Sequence, residues 1–330
     1  MRPVIPLTVI GGFLGAGKTT LLNHLLTSQV DRRIAVLVND FGELNIDARL
    51  IASRHGDTVE LSNGCVCCSI GDDLSRALIQ VLDASSALDA VIIEASGVSD
   101  PRRIARLAKA APELSVDAVL VMVDASMVLA QARDPYLADT LQRQLVAADL
   151  LVLNKIDLTN KEQRELVLAL LRQQAPGTPV VEAVQARVPD ALVSGLGMSP
   201  QRLECWWQGR SLSAETEHEG GYLPQRLHPM GAPEHDDRFQ AWLGLPQHHW
   251  SFAQWEDALQ ALVGRVLRLK GQVHSQDEGW LEVQLAGRQV RLSPAPASLA
   301  QSAQLVAIGL RGQLPLAALE SLGETDPSRG

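Results

Sequence analysis

Residues 12–19 lie between an apolar, β-branched run and a helical segment, and they read Gly-Phe-Leu-Gly-Ala-Gly-Lys-Thr. This fits the pattern G-x-x-x-x-G-K-[ST], in which the glycine-rich loop turns backbone N–H groups toward phosphates at a helix N-terminus. We expect Lys18 to reach the β- and γ-phosphates and the Thr19 hydroxyl to bind Mg²⁺. The motif therefore predicts a site for a nucleoside triphosphate.

About the first 180 residues alternate between short apolar runs and helical segments. The apolar runs have the composition of buried strands and are Val4–Gly11, Arg33–Asn39, Ala87–Glu94, Val116–Asp124 and Asp149–Asn154. The helical segments are Lys18–Ser28, Asp73–Asp83, Arg102–Ala111, Asp134–Ala148 and Lys161–Gln174. Asp100 and Pro101 are typical of a helix start, as N-cap and first helical residue. The alternation predicts an α/β fold of the P-loop NTPase type, with a doubly wound, mostly parallel sheet.

The rest of the chain divides into two parts with different composition. Residues 185–247 are rich in Gly, Pro, Gln, His and acidic residues, and we expect a partly mobile linker with one short helix near Met198–Trp207. From residue 248 onward, helical and strand patterns return. The sequence thus predicts a P-loop GTPase domain in residues 1–184 and a smaller α+β domain in residues 248–330.

Composition and charge limit the classes of partner. The net charge of −9 and the pI near 5.4 argue against a general nucleic-acid binder, because neutralising phosphates needs a basic face. No stretch approaches the ~20 apolar residues that span a bilayer. The first apolar run leads into the glycine-rich motif and not into a cleavage site, so we expect a first strand instead of a signal peptide. We therefore expect a soluble, cytoplasmic protein that binds neither nucleic acid nor membranes.

Asn154-Lys155-Ile156-Asp157 follows an apolar strand well downstream of the glycine-rich loop. The Asp157 carboxylate can accept hydrogen bonds from the N1–H and exocyclic amine of guanine, a pair of donors that adenine lacks. Asn154 can contact the opposite edge of the base, and the stem of Lys155 can cover the ring. By itself the pattern also fits a loop before a helix. Combined with residues 12–19, it predicts guanine recognition and hence a GTPase.

Glu94 ends a buried strand, and Gly97 follows three residues later. In a P-loop protein, this is the position of an acidic residue that binds Mg²⁺ through water or orients the attacking water. The Gly97 amide could sense the γ-phosphate. Most P-loop GTPases have Asp here, so Glu94 is a departure. The alternative is an acid that only caps the next turn.

Three of the four cysteines, Cys65, Cys67 and Cys68, lie within four residues. A disulfide framework would spread its cysteines along the chain. Clustered thiolates favour a soft divalent ion such as Zn²⁺, and three ligands leave a fourth position open for another side chain, water or a second protein. A redox site and reduced thiols that only pack are the alternatives. The fourth cysteine, Cys205, is typical of a packed small hydrophobe.

Acidic residues follow the second predicted strand, where a nucleotide-sensing switch is expected. Asp40 and Glu43 are candidate ligands for Mg²⁺ or for a metal held by the cysteines, and a solvated acidic loop is the alternative. Histidines 218, 228 and 235 match no ligand spacing, so we interpret them as solvated residues of the linker.

Five segments together resemble the CobW-like family of metallochaperone GTPases and occur in that family's order. They are G-G-F-L-G-A-G-K-T-T, N-D-F-G-E, G-C-V-C-C, E-A-S-G and N-K-I-D. A further segment at residues 267–271, L-R-L-K-G, looks like the family's C-terminal signature. The resemblance implies slow hydrolysis of GTP, binding of zinc or a related ion by the cysteines, and transfer of that metal to a client metalloenzyme.

Carried over by position, the resemblance implies three sets of site residues. Phosphate and Mg²⁺ would be held by Gly15, Ala16, Gly17, Lys18, Thr19 and Thr20; guanine by Asn154, Lys155 and Asp157; and the transferred metal by Cys65, Cys67 and Cys68. From the motifs themselves, Gly12 is a further candidate for the phosphates, and Asp40 and Glu43 are further candidates for the metal. Some members have a glutamate ligand where this chain has Val38, so the metal site departs from the family there.

Three other functions stay open on the sequence. A cobalt chaperone for corrin synthesis or for a cobalt enzyme would use the same motifs, and ligand type alone does not separate it from a zinc chaperone. A regulatory GTPase with a structural zinc would keep its metal through the nucleotide cycle. A P-loop kinase is disfavoured by the guanine motif. A homodimer is among the assemblies that the sequence allows.

Overall fold

The computed structural model describes residues 4–28, 33–38, 48–51, 70–84, 88–109, 111–194, 238–295 and 303–325. The predicted helix near Met198–Trp207 and the linker histidines lie outside these ranges. Within them, none of the helices has the length and apolarity that crossing a bilayer needs.

The first sheet has seven strands in the spatial order β3-β2-β4-β1-β5-β6-β7. The strands are β1 (Ile5–Gly12), β2 (Ile34–Val38), β3 (Ala48–Ile51), β4 (Ala90–Glu94), β5 (Leu114–Asp124), β6 (Leu150–Asn154) and β7 (Val180–Glu182). All neighbours pair in parallel except β3, which runs antiparallel to β2. The predicted doubly wound, mostly parallel sheet is confirmed, and β3 and β7 are additions at its two edges.

Helices connect these strands, as the alternation predicts. They are α1 (Lys18–Ser28), α2 (Ile70–Ala84), α3 (Pro101–Ala108), α4 (Val128–Arg133), α5 (Ala138–Ala147), α6 (Lys161–Gln174) and α7 (Asp190–Val193). The bounds of α1 and α6 equal the predicted ones. The expected helix Asp134–Ala148 begins later, since the Asp134 side chain accepts a hydrogen bond from the Tyr136 amide and forms a turn there.

The second sheet has six antiparallel strands in the order β11-β10-β9-β12-β8-β13. They are β8 (Phe239–Leu245), β9 (Arg268–Ser275), β10 (Gly279–Ala286), β11 (Gln289–Pro294), β12 (Gln304–Leu310) and β13 (Glu324–Thr325), with helices α8 (Phe252–Gln260) and α9 (Leu316–Glu320). The predicted α+β class of this smaller unit is confirmed.

Two elements lie inside residues 185–247, the range expected to be a linker. Helix α7 is buried at Ala191, Leu192 and Val193, and β8 pairs with β12 from Phe239 to Gly244. In β8 the buried residues include Phe239 and Trp242. The pattern of β8 is only seven residues long and follows a polar stretch, which is why composition does not reveal it. The segment forms the strand β8 because it pairs with a strand that is distant in sequence.

The second sheet packs on one face of the first. A single buried cluster joins residues of β1, β5, β6, β7 and α1 to residues of the second unit, namely Phe239, Leu267, Val306 and Ile308. The turn between β10 and β11 also reaches the first unit. There Gly287 has φ +53°, and a Cβ atom would lie 1.6 Å from the Asp149 carbonyl oxygen, so only glycine fits.

Asp149 precedes β6 and is 5% exposed. Burial raises the pKa of Asp149 to about 6, although the hydrogen bond from the Val119 amide and the nearby Arg288 and Arg102 act in the opposite direction. The folded chain therefore binds this proton more tightly than the unfolded chain, in which the pKa is near the ordinary 3.8. The stability that this proton contributes is fully present below the unfolded pKa and is lost as pH rises through the folded one.

We expect this group to lower the free energy of unfolding by about 2.4 kcal/mol between pH 4 and pH 7, at ~1.4 kcal/mol for each pKa unit. Asp149→Asn cannot ionise, so its free energy of unfolding should change less over that interval. Urea unfolding of both proteins at a series of pH values measures the difference. The same pH dependence in both proteins would contradict the assignment.

Candidate functional site

The glycine-rich loop joins the central strand β1 to α1. Lys18 is the first residue of α1, is 6% exposed and donates from Nζ to the Phe13 carbonyl oxygen at 3.2 Å. The Ala16 amide donates to the same carbonyl, also at 3.2 Å. Gly17 has φ +106°, and a Cβ atom there would lie 2.4 Å from Asn154 Nδ2. The loop is thus closed on itself and packed against the base-recognition segment.

A cavity of about 280 Å³ opens above this loop. Its lining comes from the loop, from the ends of β2 and β4 and from the residues after β4: Leu14, Gly15, Gly17, Lys18, Thr19, Thr20, Val38, Glu94, Ala95, Ser96 and Gly97. These positions lie at the carboxyl ends of parallel strands, where α/β sheets bind ligands. The structure therefore brings the residues predicted at the switch after β4 together with most of those predicted to hold phosphate. Gly12 and Ala16 are not part of the lining: both are buried, and Gly12 lies against Met122 of β5.

Thr19 and Glu94 meet inside the cavity. The Thr19 hydroxyl donates to Glu94 Oε1 at 2.9 Å, although the two residues are 75 positions apart. Glu94 is 6% exposed, and its second oxygen, Oε2, is buried with no hydrogen-bond partner in the described part of the chain. A buried carboxylate oxygen without a donor is costly. A hydroxyl and a carboxylate are ligands that Mg²⁺ prefers, so the donor set fits that ion.

The loop after β4 is held by a residue that sequence reasoning missed. Gln144 of α5 is 1% exposed, and its Nε2 donates to the carbonyl oxygens of Gly97 at 3.0 Å and Ser99 at 3.1 Å. On the other side, the Gly97 Cα faces the loop, since an added Cβ would lie 2.7 Å from the Leu14 amide nitrogen. The sequence signal for the role of Gln144 is a glutamine on the buried face of a helix.

The guanine motif follows β6. Asn154 is buried; its Nδ2 donates to the Ala16 carbonyl at 2.9 Å, and its Oδ1 accepts from the Ala186 amide at 2.7 Å. This side chain connects the segment predicted to recognise the base with the glycine-rich loop. Asp157 lies in a short 3₁₀ turn, Ile156–Leu158, and is exposed.

Lys155 and Asp124 form an ion pair beside Asn154. Lys155 Nζ lies 2.7 Å from Asp124 Oδ2. Asp124 is a second residue that sequence reasoning missed. The signal for it was an acid at the end of the strand that precedes the motif strand.

The predicted metal ligands Asp40, Glu43, Cys65, Cys67 and Cys68 lie outside the described residues. Val38, two positions before Asp40, lines the cavity. Among the residues that the structure does describe, no three His, Cys, Asp or Glu side chains are grouped closely enough to hold a metal ion.

Two family descriptions match the chain. "CobW/HypB/UreG, nucleotide-binding domain" matches residues 6–182, and "Cobalamin synthesis protein cobW C-terminal domain" matches residues 231–322. A protein named zinc chaperone CobW from a Sinorhizobium species is 32% identical over 299 residues, which is 81% of this chain and 80% of that protein.

A zinc chaperone CobW from Pseudomonas aeruginosa is also 32% identical, over 311 residues, with 81% of this chain and 76% of that protein covered. The crystal structure of the Zn(II)-bound YjiA GTPase from E. coli is 25% identical, with 98% of this chain and 99% of that chain covered and a TM-score of 0.45.

Proposed function

The chain belongs to the CobW/HypB/UreG family of nucleotide-binding proteins, and from this premise we propose that it is a GTP-hydrolysing zinc chaperone. The observation that carries the GTPase assignment is the cavity in which Thr19, Glu94 and Lys18 converge at the carboxyl ends of parallel strands. We propose zinc as the metal because the relatives are named zinc chaperones and because the cysteine cluster of this chain offers ligands suited to zinc.

In the proposed reaction, the backbone amides of the loop and the first turn of α1 bind the β- and γ-phosphates. These residues are Gly12, Gly15, Ala16, Gly17, Lys18, Thr19 and Thr20. The Lys18 ammonium stabilises the negative charge that develops on the transferring phosphoryl group. Thr19 and Glu94 would hold Mg²⁺, which neutralises phosphate charge when bound. The Gly97 amide contacts the γ-phosphate, and Gln144 sets the position of that loop.

Guanine selection is proposed to rest on Asp157. Asp157→Asn places an amide donor opposite the N1–H and amine of guanine, and mispaired buried groups cost about 1–3 kcal/mol, or roughly ten- to a hundredfold in affinity. GDP affinity should fall by that factor, while xanthosine diphosphate should bind comparatively better. Competition against a fluorescent nucleotide measures both. An unchanged preference for GDP over xanthosine diphosphate would refute the guanine assignment.

Zinc is the proposed cargo of Cys65, Cys67 and Cys68, with Asp40 or Glu43 as further ligands. In sequence, these residues lie between Val38 and Ile70, the start of α2, and Val38 lines the nucleotide cavity. Hydrolysis of GTP would alter zinc affinity through these segments. The open fourth position lets a client metalloenzyme take the ion.

We expect one zinc ion per chain, bound with an affinity that differs between the GDP form and the form with a non-hydrolysable GTP analogue. A competitor dye of known zinc affinity measures both, and protons should be released on binding because the thiols must ionise. The Cys67→Ser, Cys68→Ser double variant should lose zinc but keep GDP binding. Cys205→Ser is the matched control, since that cysteine stands apart from the cluster.

Two outcomes of this titration contradict the proposal. Equal zinc affinity in both nucleotide states would favour a regulatory GTPase with a structural zinc. The general affinity order of divalent first-row metals predicts how cobalt affinity compares with zinc affinity at one site. Cobalt affinity above that prediction would favour cobalt delivery.

We further propose a division of the chain into two units, a compartment and an assembly. Residues 1–184 form the unit that binds and hydrolyses GTP, and residues 248–330, together with β8, form a second unit. The protein acts in the cytoplasm, where clustered thiols stay reduced. A homodimer is the assembly we propose to test first, by mass measurement with and without GTP.

A further inference from the structure

Two neighbouring strands of the first sheet end in polar residues that lie side by side. Asp124, the last residue of β5, is the register partner of Asn154, the last residue of β6. Lys155 follows directly, so its side chain can reach back to Asp124 across one strand spacing. The pair is formed by the sheet and not by local sequence, because 31 positions separate the two residues.

Both oxygens of the Asp124 carboxylate are used. Oδ2 accepts from Lys155 Nζ at 2.7 Å, and Oδ1 accepts from the Ser126 amide at 2.9 Å and from the Ser126 hydroxyl at 2.5 Å. Burial would raise the pKa of Asp124, but the hydrogen bonds from Lys155 and Ser126 outweigh it and lower the pKa below the ordinary value. The carboxylate is therefore ionised at neutral pH and fixed in orientation.

The backbone of Lys155 is strained. Its φ of 62° and ψ of 35° place it in the left-handed region, which is unfavourable for a residue with a Cβ. Only two other non-glycine residues in the described ranges have positive φ. Glycine would relieve this strain, so the backbone does not explain a lysine here. Strain of this kind is retained where a side chain has a function.

We propose that Asp124 is a positioning and specificity-determining residue, which holds Lys155 so that its aliphatic stem forms one wall of the guanine pocket. This rests on the proposed function, in which the base lies against Asn154, Lys155 and Asp157. The ion pair fixes one end of the side chain, and the backbone fixes the other.

The ion pair between Lys155 and Asp124 affects the free energy of nucleotide binding more than the free energy of folding. A free lysine side chain has many rotamers and loses their entropy when it is ordered. With the ammonium held by Asp124, that ordering is complete before the nucleotide arrives. The Lys155 side chain is 33% exposed, so its ammonium can return to water when Asp124 is replaced, and the fold need not fail.

The test uses Asp124→Asn in the full chain, with Asp134→Asn as matched control. The Asp134 side chain accepts a hydrogen bond from the amide two residues on, as the Asp124 side chain does, but this bond lies within an exposed turn away from the guanine motif. GDP affinity of Asp124→Asn should fall by about two- to tenfold, the equivalent of ordering one flexible side chain. Affinity for inorganic tripolyphosphate should not change. In steady-state hydrolysis, KM for GTP should rise with kcat unchanged.

Lys155→Met supplies a second variant should Asp124→Asn fold poorly, since it removes the ammonium and leaves the stem. Its GDP affinity should fall to a similar extent, and adding Asp124→Asn to it should have no further effect. Three results would overturn the proposal: an equal loss of GDP and tripolyphosphate affinity, an equal loss in Asp134→Asn, or additive effects in the double variant.

The Asp157→Asn variant separates this inference from the proposed function. If Asp157→Asn leaves the base preference unchanged, the guanine assignment fails and the role of Asp124 fails with it. If Asp157→Asn shifts the preference toward xanthine while Asp124→Asn binds GDP like the wild type, only the positioning role of Asp124 is overturned.

Discussion

GTP hydrolysis by the Lys18→Ala variant should be slower by a factor of about 100 to 1000 in kcat, the usual effect of removing one group that stabilises transition-state charge. Lys18 is the cation that lines the cavity in the described part of the chain, and it sits at the start of α1 beside the phosphate loop. Phosphate release under single-turnover conditions at saturating GTP measures the loss. GDP binding and the thermal melt show whether the variant is folded.

Lys161→Ala is the matched control for this variant. Lys161 is likewise the first residue of its helix, α6, but its side chain is 82% exposed and lies 4.0 Å from its partner Glu165. Its removal should leave kcat unchanged. Wild-type turnover in a folded Lys18→Ala protein would remove Lys18 from the catalytic machinery and leave it as a residue of the loop.

The sequence predicts a phosphate site and a base site because the candidate residues occur in short contiguous motifs at strand ends, and the structure places Lys18, Thr19 and Glu94 around one cavity. Lys18 and Asp157 are identified by their own neighbours in sequence, and parallel strands bring such ends to one edge of a sheet. Local chemistry also predicts the start of α3 correctly. The Asp100 side chain accepts from the Arg102 amide, and Pro101 is the first helical residue, as expected of an N-cap followed by proline.

Gln144 and Asp124 could not be predicted in the same way, since their partners are distant in sequence. Gln144 contacts residues 45 and 47 positions away. Gln144 is one of several polar residues of α5, and Asp124 ends the strand β5. Only the packing of α5, or the register of β5 and β6, gives each side chain its partner. Such residues support the motif residues without resembling a motif.

The position of the second unit was also outside the reach of the sequence pattern. Periodicity indicates that β9, β10, β11 and β12 are strands, but it does not say which face of which sheet they cover. The buried cluster containing Leu267 and Ile308 identifies this face. The second sheet packs on the face of the first sheet that α1 covers only in part. Side-chain volume and the sheet twist decide this packing, and neither is local in sequence.

Arg268→Met should lower the free energy of unfolding by about 3–5 kcal/mol, because it removes the guanidinium that pairs with the buried carboxylate of Asp117. Arg268 begins β9 in the second unit and pairs with Asp117 of β5 in the first, and the two side chains are 3% and 2% exposed. Arg268 Nη1 also donates to the Leu192 carbonyl of α7 at 3.1 Å. One guanidinium thus connects three elements from both units. Urea unfolding followed by tryptophan fluorescence measures the change.

Two further variants decide whether the loss comes from the buried charge of Asp117. Lys270→Met, on the same strand, breaks the partly exposed pair with Glu282 at 3.5 Å and should cost about 1 kcal/mol or less. Adding Asp117→Leu to Arg268→Met removes the buried carboxylate, so much of the lost stability should return. If the double variant is no more stable than Arg268→Met, then lost packing, and not the charge of Asp117, accounts for the effect. In that case the pair would not be what holds the second sheet against the nucleotide-binding unit.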